Sequence, residues 1–318
     1  MNPDRVMETV LQAAGLIEEA YGKLKASDAV AALELLEQAL PLDFENEELK
    51  QALKCVHWWL EHTKRIEGIE DPYEKGGYIL SLLKQYYVFL GHFSKVYDQC
   101  QYAVRSFVFS TALIFFDSML GQGANQHDPG LLMLAGRCYK GLGNYDEALK
   151  YLEQAIRFRR EDAETLAELA DINALLGETK AAKALFREAL YLDPGKVEIR
   201  SLESELILRL WEEVAALGYK ENEICEWAPV YGYLWGVLSV KRELKQVEVG
   251  RIKQSIFSLE AEREANPQRR SEINPRLINR YFWLIDHYEN SRADPALIEE
   301  CLLKIKVTDP DIYQRYTR

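Results

Sequence analysis

The 318-residue chain carries 39 Lys and Arg against 51 Asp and Glu, a formal net charge of −12. That acidity argues against a nucleic-acid backbone as the main partner, because phosphate binding needs a basic face. With 48% hydrophobic and 28% charged residues the chain has ample material for a folded protein, and its length fits one elongated array or two domains.

The N-terminus carries Asp4 and Glu8 and no long apolar core, so no signal peptide is expected. Residues 1–46 read as a helix pair. A first helix runs from about Arg5 or Thr9 to Lys25 with Ala20 at a small position, and a second carries Ala32, Leu36 and Ala39 on one face. The turn between them, Ala26-Ser27-Asp28, has no glycine.

Residues 47–127 are helical and aromatic-rich. Leu49, Leu53, Val56 and Leu60 line one face of a helix from Glu47 to Lys64. Asp71-Pro72 starts the next, since Pro fits the first turn after an Asp cap. Tyr78–Phe89 forms another stretch. Phe93–Phe107 and Thr111–Leu120 read as a degenerate pair with Ala112 and Phe116 at its small and bulky positions. The apolar run Phe107–Phe116 is far short of the ~20 residues a membrane helix needs and fits a buried core helix, so no membrane insertion is expected. The dense aromatics, among them Trp58, Trp59, Tyr86, Tyr87, Tyr97 and Tyr102, fit two readings: irregular core packing or the wall of a binding groove. Gly121-Gln122-Gly123 opens a loop.

From Asp128 one pattern occurs twice. Asp128 and Asp162 begin copies offset by 34 residues, in which Gly136 aligns with Ala170, Gly143 with Gly177, Ala148 with Ala182, Leu152 with Phe186 and Ala155 with Ala189. Leu132, Ala135, Gly136 and Tyr139 share one face of a first helix, Gly143-Asn144 ends it, and Ala148, Leu152 and Ala155 line a second. Small residues sit where two helix backbones come close. The tetrad Leu152-Glu153-Gln154-Ala155 also occurs as Leu36-Glu37-Gln38-Ala39.

On these residues the chain resembles the tetratricopeptide repeat family. The match is clear over 128–195 and weak over 13–46 and 93–126. It departs from the family at Arg160, Asn173 and Thr179, where Pro, Tyr and a second Tyr would stand. The resemblance implies an all-α, right-handed superhelical array of antiparallel helix pairs, an α-solenoid whose concave face binds a peptide or protein.

Residues 196–318 continue as divergent helices. Val197, Ile199, Leu202, Leu206, Leu210 and Val214 predict one long amphipathic helix that caps the array. Glu223–Val240 is kinked or started by Pro229, and Glu243–Glu264 is a long helix. Asn274-Pro275, Asp294-Pro295 and Asp309-Pro310 read as capped helix starts. The organisation expected is therefore 1–46, 47–127, 128–195 and 196–318, with no strand pattern in any part.

No catalytic or cofactor motif is expected. His57 and His62 are five apart, about 140° round a helix, so they fail the spacing of a zinc site. Gly121-x-Gly123 lacks the third glycine and the preceding strand of a dinucleotide loop. Cys55, Cys100, Cys138, Cys225 and Cys301 are odd in number and far apart, which fits thiols in a reducing compartment, without disulfides, and a cytoplasmic location.

In an array of the resembled kind the first helix of each pair faces inward. That places Tyr97, Gln101, Arg105, Met133, Arg137, Lys140, Ala167 and Asp171 as candidate partner-binding residues. Met133 and Arg137 stand where the family's carboxylate-gripping groove has Lys and Asn, so that grip is not matched. The function expected is a non-catalytic adaptor or scaffold. The alternatives are an RNA-binding helical-repeat protein, which the charge opposes, and a repeat array carrying a functional C-terminal region at 220–318, where no catalytic set is recognisable.

Overall fold

The computed structural model describes residues 3–121, 123, 125–239 and 244–318, with side chains from Met7 onward. Gln122, Val240 and Glu243 of the expected segments lie outside the described residues. Among the described residues there are helices and turns and no strand. The chain forms two compact units, Met1–Phe158 and Arg159–Arg318.

Unit 1 holds α1 (Pro3–Lys25), α2 (Ala29–Ala39), α3 (Glu47–Thr63), α4 (Pro72–Leu90), α5 (Asp98–Leu120), α6 (Pro129–Gly141) and α7 (Tyr145–Phe158). Asp28, Asn46, Asp71 and Asp128 cap α2, α3, α4 and α6 by accepting a backbone N–H with the side chain. The α6–α7 turn follows from Gly143, whose φ of 77° lets Gly143 N–H reach Lys140 O and Asn144 N–H reach Tyr139 O. The α1–α2 turn repeats this geometry without glycine. Ser27 takes φ 64°, Asp28 N–H donates to Lys23 O at 2.9 Å, and the Ser27 hydroxyl lies 2.6 Å from that of Ser110.

The expected pair at 93–126 is instead one helix, α5. No Gly or Pro separates Phe107 from Thr111. The hydroxyls of Ser106, Ser110 and Thr111 donate to the carbonyls of Tyr102, Ser106 and Phe107 one turn back, so the polar residues continue the helix. This helix packs against α1, α3, α4 and α6. Two glycines admit it: a Cβ on Gly76 of α4 would stand 2.5 Å from the Phe116 ring, and one on Gly141 of α6 would overlap the Phe109 ring. At 23 residues α5 is long and apolar enough to cross a membrane, and half of its most apolar window is buried.

Unit 2 holds α8 (Ala163–Leu175), α9 (Thr179–Leu192), α10 (Glu205–Ala215), α11 (Glu221–Leu234), α12 (Gln246–Ala265), α13 (Arg270–Asn290), α14 (Pro295–Thr308) and α15 (Pro310–Thr317). Gly177, φ 85°, ends α8 with the same paired bonds: its N–H reaches Ala174 O and Glu178 N–H reaches Asn173 O. Asp162 caps α8, while Asp294 and Asp309 start α14 and α15 as expected.

Two expectations in this unit are corrected. The helix expected from Val197 begins only at Glu205. The buried Asp171 carboxylate of α8 accepts the N–H groups of Glu203 and Ser204 at 2.9 and 2.8 Å, and Ser201 donates to Glu168 at 2.6 Å. These bonds hold 201–204 against α8 and set where α10 starts. Asn274-Pro275 lies inside α13 rather than at its start. Pro275 stands beyond the first turn, so its missing N–H removes one bond of the ladder, and Asn274 accepts from Arg263 of α12. In the same way α11 begins at Glu221 and runs through Pro229.

α13 is the central helix of this unit, packed against α9, α11, α12 and α14. Its charged residues are partnered inside. Asp286 meets Arg187 of α9 at 2.5 Å and accepts the Tyr233 hydroxyl of α11 at 2.8 Å, while the Arg187 guanidinium lies 4.3 Å from the Trp283 ring centre. Arg280 donates to Tyr191 O and Ser255 Oγ at 3.1 Å each, and Arg276 grips both oxygens of Glu226.

Two predictions follow from this packing. A Cβ on Gly136 would lie 2.8 Å from Leu152 Cγ. Gly136→Trp therefore destabilises unit 1 by at least ~1–3 kcal/mol, whereas Gly15→Ala, where the added methyl meets open space in mid-helix, raises stability by up to about 1 kcal/mol; thermal melting separates the two. Asp286→Ala removes the carboxylate that meets the buried Arg187 guanidinium and lowers stability by about 3–5 kcal/mol in urea titration, while Arg187→Met with Asp286→Leu recovers most of that loss.

Candidate partner-binding surface

Unit 1 carries two clefts that share one residue, Tyr102 of α5. The first, of about 740 Å³, lies among α1, the start of α3 and the first turns of α5, and is lined by Glu18, Tyr21, Lys25, Glu48, Asp98 and Tyr102. Its character is mixed, since Ala14 and Ile17 stand among these polar side chains. Tyr21 donates to Glu48 at 3.0 Å, and burial pushes the Tyr21 phenol above its ordinary range, so it stays a neutral donor.

The second cleft, of about 400 Å³, lies between α4 and α5. Leu83, Tyr87, Leu90, Val96, Val104 and Val108 give it an apolar wall, completed by Tyr86, Gln101, Tyr102 and Arg105. α4 and α5 are joined by a non-helical segment at 91–97 that bends at Ser94 and Lys95 and is extended at Tyr97. Gln51 of α3 fixes that segment: its side chain donates to Lys95 O at 2.7 Å and accepts Tyr97 N–H at 2.9 Å.

Aromatic residues near this cleft divide between both readings of the sequence. Trp59 and Tyr86 are core; Trp59 stands edge to face with Trp58 and Phe107 and tilted against Tyr86. Tyr87 and Tyr102 stay 43% and 55% exposed, beside the exposed Val88 and Val96. Burial and then the neighbouring Cys55 sulfur push the Tyr86 phenol far above its ordinary range; it donates to Gln101 Oε1 at 3.0 Å.

The eight residues expected to meet a partner fall into two sets. Gln101 and Arg105 are half-buried in the wall of the apolar cleft, and Arg105 Nε donates to Gly141 O at 3.2 Å with its guanidinium over the Phe109 ring. Tyr97, half-buried, stands just before α5 with Lys95 Nζ 4.5 Å from its ring centre. The other five lie inside: Met133, Arg137 and Lys140 on α6 keep 7%, 8% and 1% of their surface, and Ala167 and Asp171 on α8 keep 2% and none. In unit 2 Asp171 is occupied by the two N–H groups before α10. Helical spacing had marked them as inward-facing, but spacing does not say whether an inward face is open or covered.

Val96 is the surface residue that sequence reading did not name, and Tyr87 and Tyr102 were named only among the aromatics open to either reading. Tyr102 follows Gln101 directly, and Tyr87 follows the core residue Tyr86, so only the turn of each helix separates a rim residue from a buried one. Among the described residues no three His, Cys, Asp or Glu side chains gather where a metal could sit. His62 instead bonds Trp58 O through Nδ1 at 2.7 Å and stacks on the Trp58 ring, and His57 lies exposed, 3.9 Å from Glu37.

Comparison with known proteins adds two findings. Residues 141–206 match the family model described as Tetratricopeptide repeat. A TPR repeat-containing protein, YpiA of Bacillus subtilis strain 168, is 29% identical over 127 residues, a match that takes in 37% of this chain and 28% of that relative. The chain thus spans well under two thirds of the relative it matches. With the glycine-closed helix pairs α6–α7 and α8–α9 already in place, these matches show that the chain is an all-α protein carrying tetratricopeptide repeats.

Proposed function

We propose that the chain is a non-catalytic adaptor that binds a partner polypeptide through unit 1, at the cleft between α4 and α5. Tetratricopeptide repeats are in general protein-interaction modules, and this supports an adaptor at the coarse level. The observation that carries the location is the apolar wall of that cleft, with the exposed Tyr87, Val96 and Tyr102 at its mouth. Rigid aromatic residues beside an apolar depression are the usual anchors of a protein interface. Gln101 and Arg105 shape the wall from within. Tyr97 belongs to the segment that Gln51 holds before α5, and the buried Met133, Arg137, Lys140, Ala167 and Asp171 take no part.

The test is affinity capture from the source cells with three forms of the full chain, followed by mass spectrometry. Proteins recovered with wild type and with Phe257→Ala, an exposed residue of unit 2, are expected to fall about tenfold with Tyr87→Ala/Tyr102→Ala, at unchanged melting temperature. Undiminished recovery by the double variant would show that the partner binds elsewhere.

A further inference from the structure

The charges around the α4–α5 cleft run against the character of the chain. Between Leu83 and Val108 stand three cations, Lys84, Lys95 and Arg105, and one acid, Asp98, in a chain whose formal net charge is −12. Lys84 and Lys95 are exposed, and each is the chain neighbour of a residue of the apolar wall, Leu83 and Val96. A fourth cation, Lys25 of α1, reaches over the Tyr102 ring at 4.9 Å. Across Tyr102 the sign reverses, for Glu18, Glu48 and Asp98 line the neighbouring cleft.

Resting on the adaptor reading above, we propose that the occupant of the α4–α5 cleft is an acidic polypeptide segment with a large apolar anchor. The apolar wall and its volume of about 400 Å³ suit one or two large side chains rather than a polar group, and pockets that hold such groups run from ~300 Å³ upward. A polar atom of the occupant lying against Leu83, Leu90, Val104 and Val108 would lose its water without a partner. At the mouth the requirement is electrostatic. Carboxylates flanking the anchor meet Lys84 and Lys95, whereas lysines in the same positions meet like charge. Beyond Tyr102 the carboxylates of the neighbouring cleft disfavour further acid, so the acidic flank lies on the α4 side. No free C-terminus is needed, because the contacts are made by side chains along the segment.

Three fluorescein-labelled synthetic 15-residue peptides test this by anisotropy with the full chain. One carries Leu and Trp four apart between glutamates, one carries the same pair between lysines, and one has the pair replaced by Ala between glutamates. The first is expected to bind, and to weaken about tenfold between 50 and 500 mM salt; the other two are expected to bind at least tenfold less tightly. Lys84→Glu with Lys95→Glu should weaken the first peptide by about tenfold and flatten its salt dependence, and Val96→Glu should weaken it by a similar factor. Leu303→Glu on the exposed side of α14 should leave it unchanged. The two lysines are exposed, so their variant tests the proposal even if Val96→Glu lowers the melting temperature. Equal binding of the lysine-flanked peptide, no binding of any peptide, or an undiminished affinity in the lysine double variant would overturn the acidic occupant. Binding to phosphatidylserine vesicles without peptide binding would overturn it as well. If the capture experiment still shows the loss on Tyr87→Ala/Tyr102→Ala, only the chemistry of the occupant fails and the adaptor reading stands.

Discussion

Each unit depends on one helix that is packed on several sides at once. A helix in a simple pair buries one stripe and leaves the rest to water. α5 and α13 do not have that freedom, because neighbours from four helices close around each. Such a helix must be admitted closely and must settle its polar groups inside. Unit 1 solves the first problem with glycine: Gly76 and Gly141 leave room for the rings of Phe116 and Phe109, which lie two turns apart on α5. It solves the second by turning the hydroxyls of Ser106, Ser110 and Thr111 onto carbonyls of α5 itself. Unit 2 solves the second with charge, pairing Asp286, Arg280 and Arg276 with groups on α9, α11 and α12. Buried pairs of this kind add little net stability over apolar contacts, but they set which neighbour goes where.

The helix pairs share a smaller constraint. To reverse direction within three residues a helix needs one residue in the left-handed region, where a side chain is strained. Gly143 and Gly177 meet it without strain. Ser27 meets it with a side chain, and the contact with Ser110 of α5 holds that residue in place. The local geometry of α1–α2 is thereby tied to the central helix of its unit. The weaker N-terminal copy is a true helix pair although its turn residue is not the expected one.

The α4–α5 cleft is a by-product of these same constraints. α5 begins only at Asp98, after a segment that Gln51 holds at Lys95 and Tyr97. What lies between α4 and α5 is apolar because both helices turn core-forming residues inward there. Beside the lining residues Leu83 and Val96, Lys84 and Lys95 are exposed. A basic surface on an acidic chain favours partners of opposite sign.

The sequence by itself determined the helical class, the repeats and most helix starts. Period, Asp-Pro caps and glycine turns are local signals, and the Asp128 and Asp162 copies state them twice. Gly136 could be named as a close approach from alignment alone, because Ala170 and the facing Ala148 and Leu152 leave few other roles for it. Tertiary structure decided what no local pattern carries. Whether Phe107–Thr111 turned or continued depended on hydroxyls bonding back within the helix. Where α10 began depended on the carboxylate of Asp171, more than thirty residues earlier in the chain. The exposure of an inward helix face was likewise undecided: the spacing that marks Arg137, Lys140 and Asp171 is the same whether a face is open or covered. Only the packing of whole helices separated these buried residues from Gln101 and Tyr102, because burial is set by every neighbour at once and periodicity records only one helix.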